Sequence, residues 1–194
     1  MRELKSVEEK ILDRTLYLIG KNRSCDVSVR AIAKEANVNV SAINYYFRTK
    51  EEMLRQAKGF YINNTRSILA ILDDESLEEE ERLILFANET MEYILRYPGI
   101  TVILREATIL GEKDETSKNI IKITTEMHEK MDKALFSVIK SSEARFRYDK
   151  MIFMASIIYP TENSDIIDFD RNAIYERESR IEYIKYIINI LKKA

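Results

Sequence analysis

The chain has 194 residues, 45% of them apolar, with four glycines, two prolines and one cysteine. That length supports one or two domains with their own cores, and so little glycine and proline excludes the turn-dense composition of an all-β fold. A net charge of −2 hides an asymmetry: residues 1–58 hold 12 Lys+Arg against 8 Asp+Glu, and the remainder 19 against 25, as expected when only one end of a protein meets phosphate.

In chain order, Val7, Ile11, Leu12, Thr15, Leu16 and Ile19 recur at helical spacing and predict a first helix over 7–20, with Gly20 as its C-cap. VSVRAIAKEANV predicts a short second helix capped by Ser28, with Val29, Ile32, Ala33 and Ala36 on one face. Asn37 tolerates the left-handed conformation of a sharp turn, Val38 plugs that turn, and Asn39 can cap a third helix with Ile43 and Phe47 inward. Two short helices so joined form a helix-turn-helix. Thr49 can cap a fourth helix from Lys50 to about Leu72, long enough to bridge two domains. The acidic run at 73–81 reads as a solvated turn and helix start. Leu83–Tyr97, Ile100–Leu110 and Thr116–Lys140 give three more helices. Two last ones, near Tyr148–Tyr159 and Ala173–Lys193, flank the loop PTENSDIIDFD. The expectation is an all-α protein of about nine helices: an N-terminal three-helix DNA-binding domain over 1–50 and a helical ligand-binding and dimerisation domain over 51–194.

The stretch from Val29 to Leu54 resembles the DNA-binding domain of the TetR/AcrR family, with Ile32, Ala33, Ala36, Val38, Ile43, Tyr45, Phe47 and Lys50 in register. Two positions depart from the family pattern: Asn37 stands for the turn glycine, and Asn44 for the commonest tyrosine. The resemblance implies a transcriptional repressor that binds double-stranded DNA as a homodimer on a palindromic operator and is released by a small-molecule effector; a DNA-binding dimer controlled by a protein partner and a helical interaction module without DNA binding are the alternative readings.

Independently of the family, burying Ile43 and Phe47 leaves Ser41, Asn44, Tyr45 and Arg48 at i, i+3, i+4 and i+7 on another face. Asn44 either reads adenine in two-point fashion or meets phosphate and solvent. Val40 and Ala42 are small enough to touch a thymine methyl or simply to pack. Tyr45 can donate to a phosphate, and Lys50 sits at a helix N-terminus that favours anions. Ser28 and Arg30 either clamp the opposite backbone or only cap and solvate. Tyr46 reads as core or interface packing. A single reading helix contacts few base pairs, so specificity argues for a dimer, and the apolar repeat Ile181, Ile184, Ile188 and Leu191 on the last helix either supplies its interface or is buried within one subunit.

By resemblance, helices five to seven enclose an effector pocket. Met91, Met127 and Met131 fit an adaptable cavity or ordinary core, and Arg105 an anionic ligand group or a salt bridge. Catalysis has little to stand on: His128 is the only histidine, one Cys and one His cannot build their usual metal sites, and Glu162, Asp165, Asp168 and Asp170 lack calcium-loop spacing. No phosphate-cradling glycine loop occurs. No cofactor or metal is expected. The lone Cys25 indicates no oxidising compartment, the charged N-terminus no signal peptide, and no run of 18 uncharged apolar residues offers a membrane span. A cytoplasmic location is expected.

Overall fold

The computed structural model describes residues 6–164, 166–167 and 169–193. Among these residues there are ten α-helices and no strand: α1 (Val7–Lys21), α2 (Val29–Ala36), α3 (Val40–Phe47), α4 (Lys50–Leu69), α5 (Glu79–Arg96), α6 (Val102–Leu110), α7 (Glu115–Ile139), α8 (Glu143–Glu162), α9 (Arg171–Tyr175) and α10 (Arg177–Lys193). The chain forms two compact units, the first running to Arg66 and resuming over Arg96–Thr124, the second comprising Ser67–Leu95 and the chain from Thr125. The first break therefore falls at Arg66 rather than near residue 50, because the apolar face of α4 continues the core begun by α1–α3. Asp165 and Asp168, from the acids expected in a solvated loop, lie outside the described residues.

In the first unit, Ile11, Leu16 and Ile19 of α1, Ile32 and Ala36 of α2, Ile43 and Phe47 of α3, and Met53 of α4 are all buried. α1 packs on α2 and on α6, and α2 on α3. Gly20 does not cap α1. The helix runs on to Lys21, and Arg23, at φ 50°, makes the left-handed turn instead. Gly20 is required for another reason: a Cβ there would lie 2.3 Å from the Pro98 carbonyl oxygen, well inside van der Waals contact. One turn pair earlier on the same face of α1, Asp13 is fully buried. Its Oδ1 accepts from Arg96 Nε at 2.9 Å and from the Tyr97 hydroxyl at 2.6 Å, and its Oδ2 from Arg14 Nε at 2.7 Å. The turn after α5 is thus fastened to α1 by charge at one end and by backbone contact at the other.

In the second unit, the single terminal helix expected over 173–193 is two helices, α9 and α10, separated by Glu176 in an extended conformation (ψ 125°). Arg180, 1% exposed, explains the break. Its Nη1 donates to the Ile174 and Tyr175 carbonyls at 3.0 and 2.9 Å, and its Nε and Nη2 reach Asn88 Oδ1 and Glu92 Oε2 on α5 at 3.1 and 2.5 Å. The carbonyls freed at the end of α9 are satisfied by a side chain rather than by continuing the helix. α8 reaches Glu162 through Pro160. A proline cannot donate to the carbonyl four residues back, and that carbonyl, of Ser156, accepts instead from the Tyr183 hydroxyl at 2.8 Å.

Candidate nucleic-acid interface

Three local devices shape the edge formed by α2, α3 and the start of α4. Ser28, extended at φ −82°, caps α2 by accepting from the Ala31 amide at 3.1 Å. With no acid in its first turn, α2 keeps its N-terminal partial positive charge uncancelled from within. Asn37 takes the left-handed conformation (φ 53°, ψ 50°), and the Val38 amide donates back to Ala33 O at 2.9 Å, so the chain reverses within two residues. Asn39 Oδ1 then accepts from the Ala42 amide and from the Ser41 hydroxyl, each at 2.7 Å, starting α3.

Burying Ile43 and Phe47 turns the opposite side of α3 outward. Ser41, Asn44 and Tyr45 are exposed, Tyr45 by 81%, while Val40 is exposed and Ala42 half-buried at the helix start. Arg48 does not continue this row. It is the C-cap of α3 at φ 63°, so the i+7 register lapses there, although the residue is exposed. Tyr46, expected to pack in the core or at an interface, is exposed, its ring edge-on to Tyr45 at 5.2 Å between centroids. Arg30 is exposed on α2. Thr49 caps α4, accepting from the Glu52 amide at 3.1 Å, and places Lys50 at the helix start. Lys50 Nζ donates to Asp26 Oδ1 at 2.6 Å, a contact that links the lead-in of α2 to the head of α4.

Residues 11–57 match the family described as bacterial regulatory proteins, tetR family. The match takes in most of α1, all of α2 and α3 and the head of α4. It is 29% identical over 107 residues to a Bacillus subtilis (strain 168) protein named probable HTH-type transcriptional regulator YttP, a match spanning 54% of this chain and 52% of that relative, so about half of each. The fold is that of solved TetR-family regulators over nearly the whole chain. One from Bordetella parapertussis superposes with a TM-score of 0.68 at 16% identity, covering 97% of this chain and 95% of its own. The regulator FadR from Bacillus subtilis, solved in complex with stearoyl-CoA, gives 0.52 at 18% identity over 94% and 96%. The exposed row on α3 lies within the stretch that this family's model matches.

The residues expected to line an effector pocket are divided between the two units. Met91 and Met131 are buried and Met127 half-buried in the second unit, whereas Arg105 is exposed on α6 of the first. A depression of about 310 Å³ in the second unit is lined by Leu72, Asp73, Glu79, Arg82, Lys130, Lys133 and Ala134, none of them a predicted ligand residue. Of the two readings of the last helix, burial within one subunit describes most of that face. Ile184, Ile188 and Leu191 are buried within the chain itself, and Ile181 is half-buried, because α10 turns that face onto its own unit, where it packs on α8 and α9. What α10 leaves outside is Tyr186 and Ile190, and α8 leaves Tyr148, Met151, Ile152 and Tyr159, with Met151 68% exposed.

Reactive groups are muted. Burial pushes the half-buried Cys25 thiol up to about 12, with the Glu106 carboxylate adding to the effect, so it is a poor thiolate at neutral pH. Burial, and then Lys150, hold His128 below the ordinary histidine value against a weaker pull from Asp132. Among the described residues no group of three or more His, Cys, Asp or Glu side chains is placed to hold a metal ion. No helix among them is long and apolar enough to cross a membrane. Two residues of consequence escaped the sequence pattern. Asp26 sits in a polar stretch 24 residues from Lys50, and Arg180 in a helix whose other charges are solvated; only the tertiary fold pairs either one.

Proposed function

We propose that this regulator is a repressor that binds a palindromic operator as a homodimer and is released by a small-molecule effector. The observation that carries the reading is the left-handed turn at Asn37, which sets α3 across α2 with Ser41, Asn44 and Tyr45 outward and its apolar side sealed. Those three side chains can enter a major groove. Ser28, Arg30 and Lys50 flank them with hydroxyl, guanidinium and ammonium donors suited to phosphate, Val40 and Ala42 allow close approach at the helix start, and Arg48 adds a cation at its end.

The second copy docks through the apolar residues α8 and α10 leave uncovered. Met151 and Ile152 lie three and four residues after Tyr148 on α8, with Tyr159 two turns beyond Ile152, and Tyr186 and Ile190 lie four apart on α10. Two α3 helices then lie about 34–36 Å apart, matching successive major grooves. The effector acts through the difference in its affinity for the DNA-competent and DNA-incompetent states; a coupling of about 1–3 kcal/mol changes operator affinity about 5- to 150-fold. Its class follows the likeness to FadR only so far as an apolar ligand would suit a core containing Met91 and Met131. The test is selection of tight binders from a random duplex library by the purified protein. A two-fold symmetric motif is expected; an intact dimer that enriches nothing defeats the reading.

A further inference from the structure

An acidic residue stands in the middle of the phosphate-facing edge. Asp26 lies two residues before the cap of α2, fixed by the hydrogen bond that its backbone amide donates to Ser24 Oγ at 3.1 Å and by the buried Val27 that follows it. Its side chain is 89% exposed, yet its carboxylate is committed to Lys50 Nζ at 2.6 Å. Around it stand groups suited to anions, an α2 N-terminus without first-turn acids, Arg30 on its first turn and Lys50 at the start of α4, where the other acids are Glu51 and Glu52, the latter paired with Arg55. Lys50 holds the Asp26 carboxyl below the usual carboxylate range, so the acid is charged wherever the protein would meet DNA.

We propose that Asp26 restrains DNA affinity by occupying Lys50 in the free protein and by setting a carboxylate beside the phosphate that Lys50 must reach. The inference rests on the DNA-facing reading of this edge. An exposed ion pair is weak and opens readily, so Lys50 transfers to phosphate on binding, but the transfer exchanges one anion for another and leaves Asp26 unpaired against a polyanion. Each lysine that neutralises a phosphate without a competing carboxylate adds close to one unit to the dependence of log affinity on log salt. Asp26 removes much of that gain. Because phosphate carries no sequence information, the restraint acts on every duplex alike and keeps the regulator easy to release.

The experiment titrates the full-length protein, Asp26→Asn, Lys50→Ala and the double variant with a duplex of random sequence, followed by fluorescence anisotropy at several salt concentrations. Asp26→Asn is expected to tighten binding about three- to tenfold and to steepen the salt slope by about one unit. In the Lys50→Ala background the same change should produce less than half that gain. Unchanged or weakened binding by Asp26→Asn would overturn the proposal, weakening meaning that the acid orients Lys50 usefully. An equal gain with and without Lys50 would overturn it too, reducing Asp26 to general repulsion. Failure of the wild-type protein to show any salt-dependent binding is a separate result, and it brings down the DNA-facing reading along with the proposal. Matching urea midpoints for wild type and Asp26→Asn exclude a folding effect.

Discussion

Gly20 and Gly59 are both helical glycines, yet the fold asks opposite things of them. A Cβ at Gly20 would sit 2.3 Å from the Pro98 carbonyl oxygen, while one at Gly59 meets nothing within 4 Å. Gly20→Ala is therefore expected to lower stability by about 2–4 kcal/mol and Gly59→Ala to raise it by about 0.5–1 kcal/mol, both read from urea midpoints; equal midpoints would remove the close contact from the account. His128 adds a pH dependence. Its folded value is depressed, so the unfolded chain takes up the proton first, and stability falls as pH drops below about 6.5. His128→Gln should flatten that part of the curve. On the α3 face, Asn44→Ala is expected to relax preference at one base position by about 1–3 kcal/mol in a competition assay, whereas Lys50→Ala weakens all duplexes and shallows the salt slope. Ser28, Asn37 and Asn39 were legible as caps and turn because their hydrogen bonds close within three or four residues. The part played by Gly20 was not, since the atom that excludes a Cβ is 78 positions away.

At the scale of elements, the informative contacts satisfy groups that helix formation leaves over. Asp13 gathers Arg14, Arg96 and Tyr97, and joins α1 to the turn after α5. Asp13→Asn leaves two guanidinium groups facing each other without their carboxylate. Removing one partner of a buried pair costs about 3–5 kcal/mol; with each arginine side chain 27% exposed, about 2–3 kcal/mol is expected here. A urea midpoint unchanged by the substitution would show the cluster to be dispensable. Tyr183→Phe strands the Ser156 carbonyl that Pro160 leaves unbonded, at a cost of about 1–2 kcal/mol by the same measurement. The helices themselves were readable from apolar spacing. The division of α9 from α10 was not, because Ile174 to Leu191 keeps helical period across a break that Arg180 stabilises from outside the local sequence.

For the whole molecule, the proposed dimer rests on the outward faces of α8 and α10. Met151→Glu combined with Ile190→Lys should convert the protein to a monomer in sedimentation and weaken binding to a symmetric duplex, since two half-sites are then read separately. The same pair of changes with the dimer intact would move the interface elsewhere. Ile184→Ala, by contrast, acts on a side chain buried within one chain, so it should lower stability by about 2–5 kcal/mol before it touches association.

Apolar periodicity, capping residues and the charge bias of residues 1–58 by themselves determined an all-α chain with a helix-turn-helix at its basic end, because those signals act over a few residues. Tertiary structure alone decided which face of α10 is core, which acid holds Lys50, and that Arg96–Thr124 belongs with the unit built on α1–α3. Each of these is a pairing across long sequence separation. Periodicity marks that a face is apolar, but only packing selects what covers it.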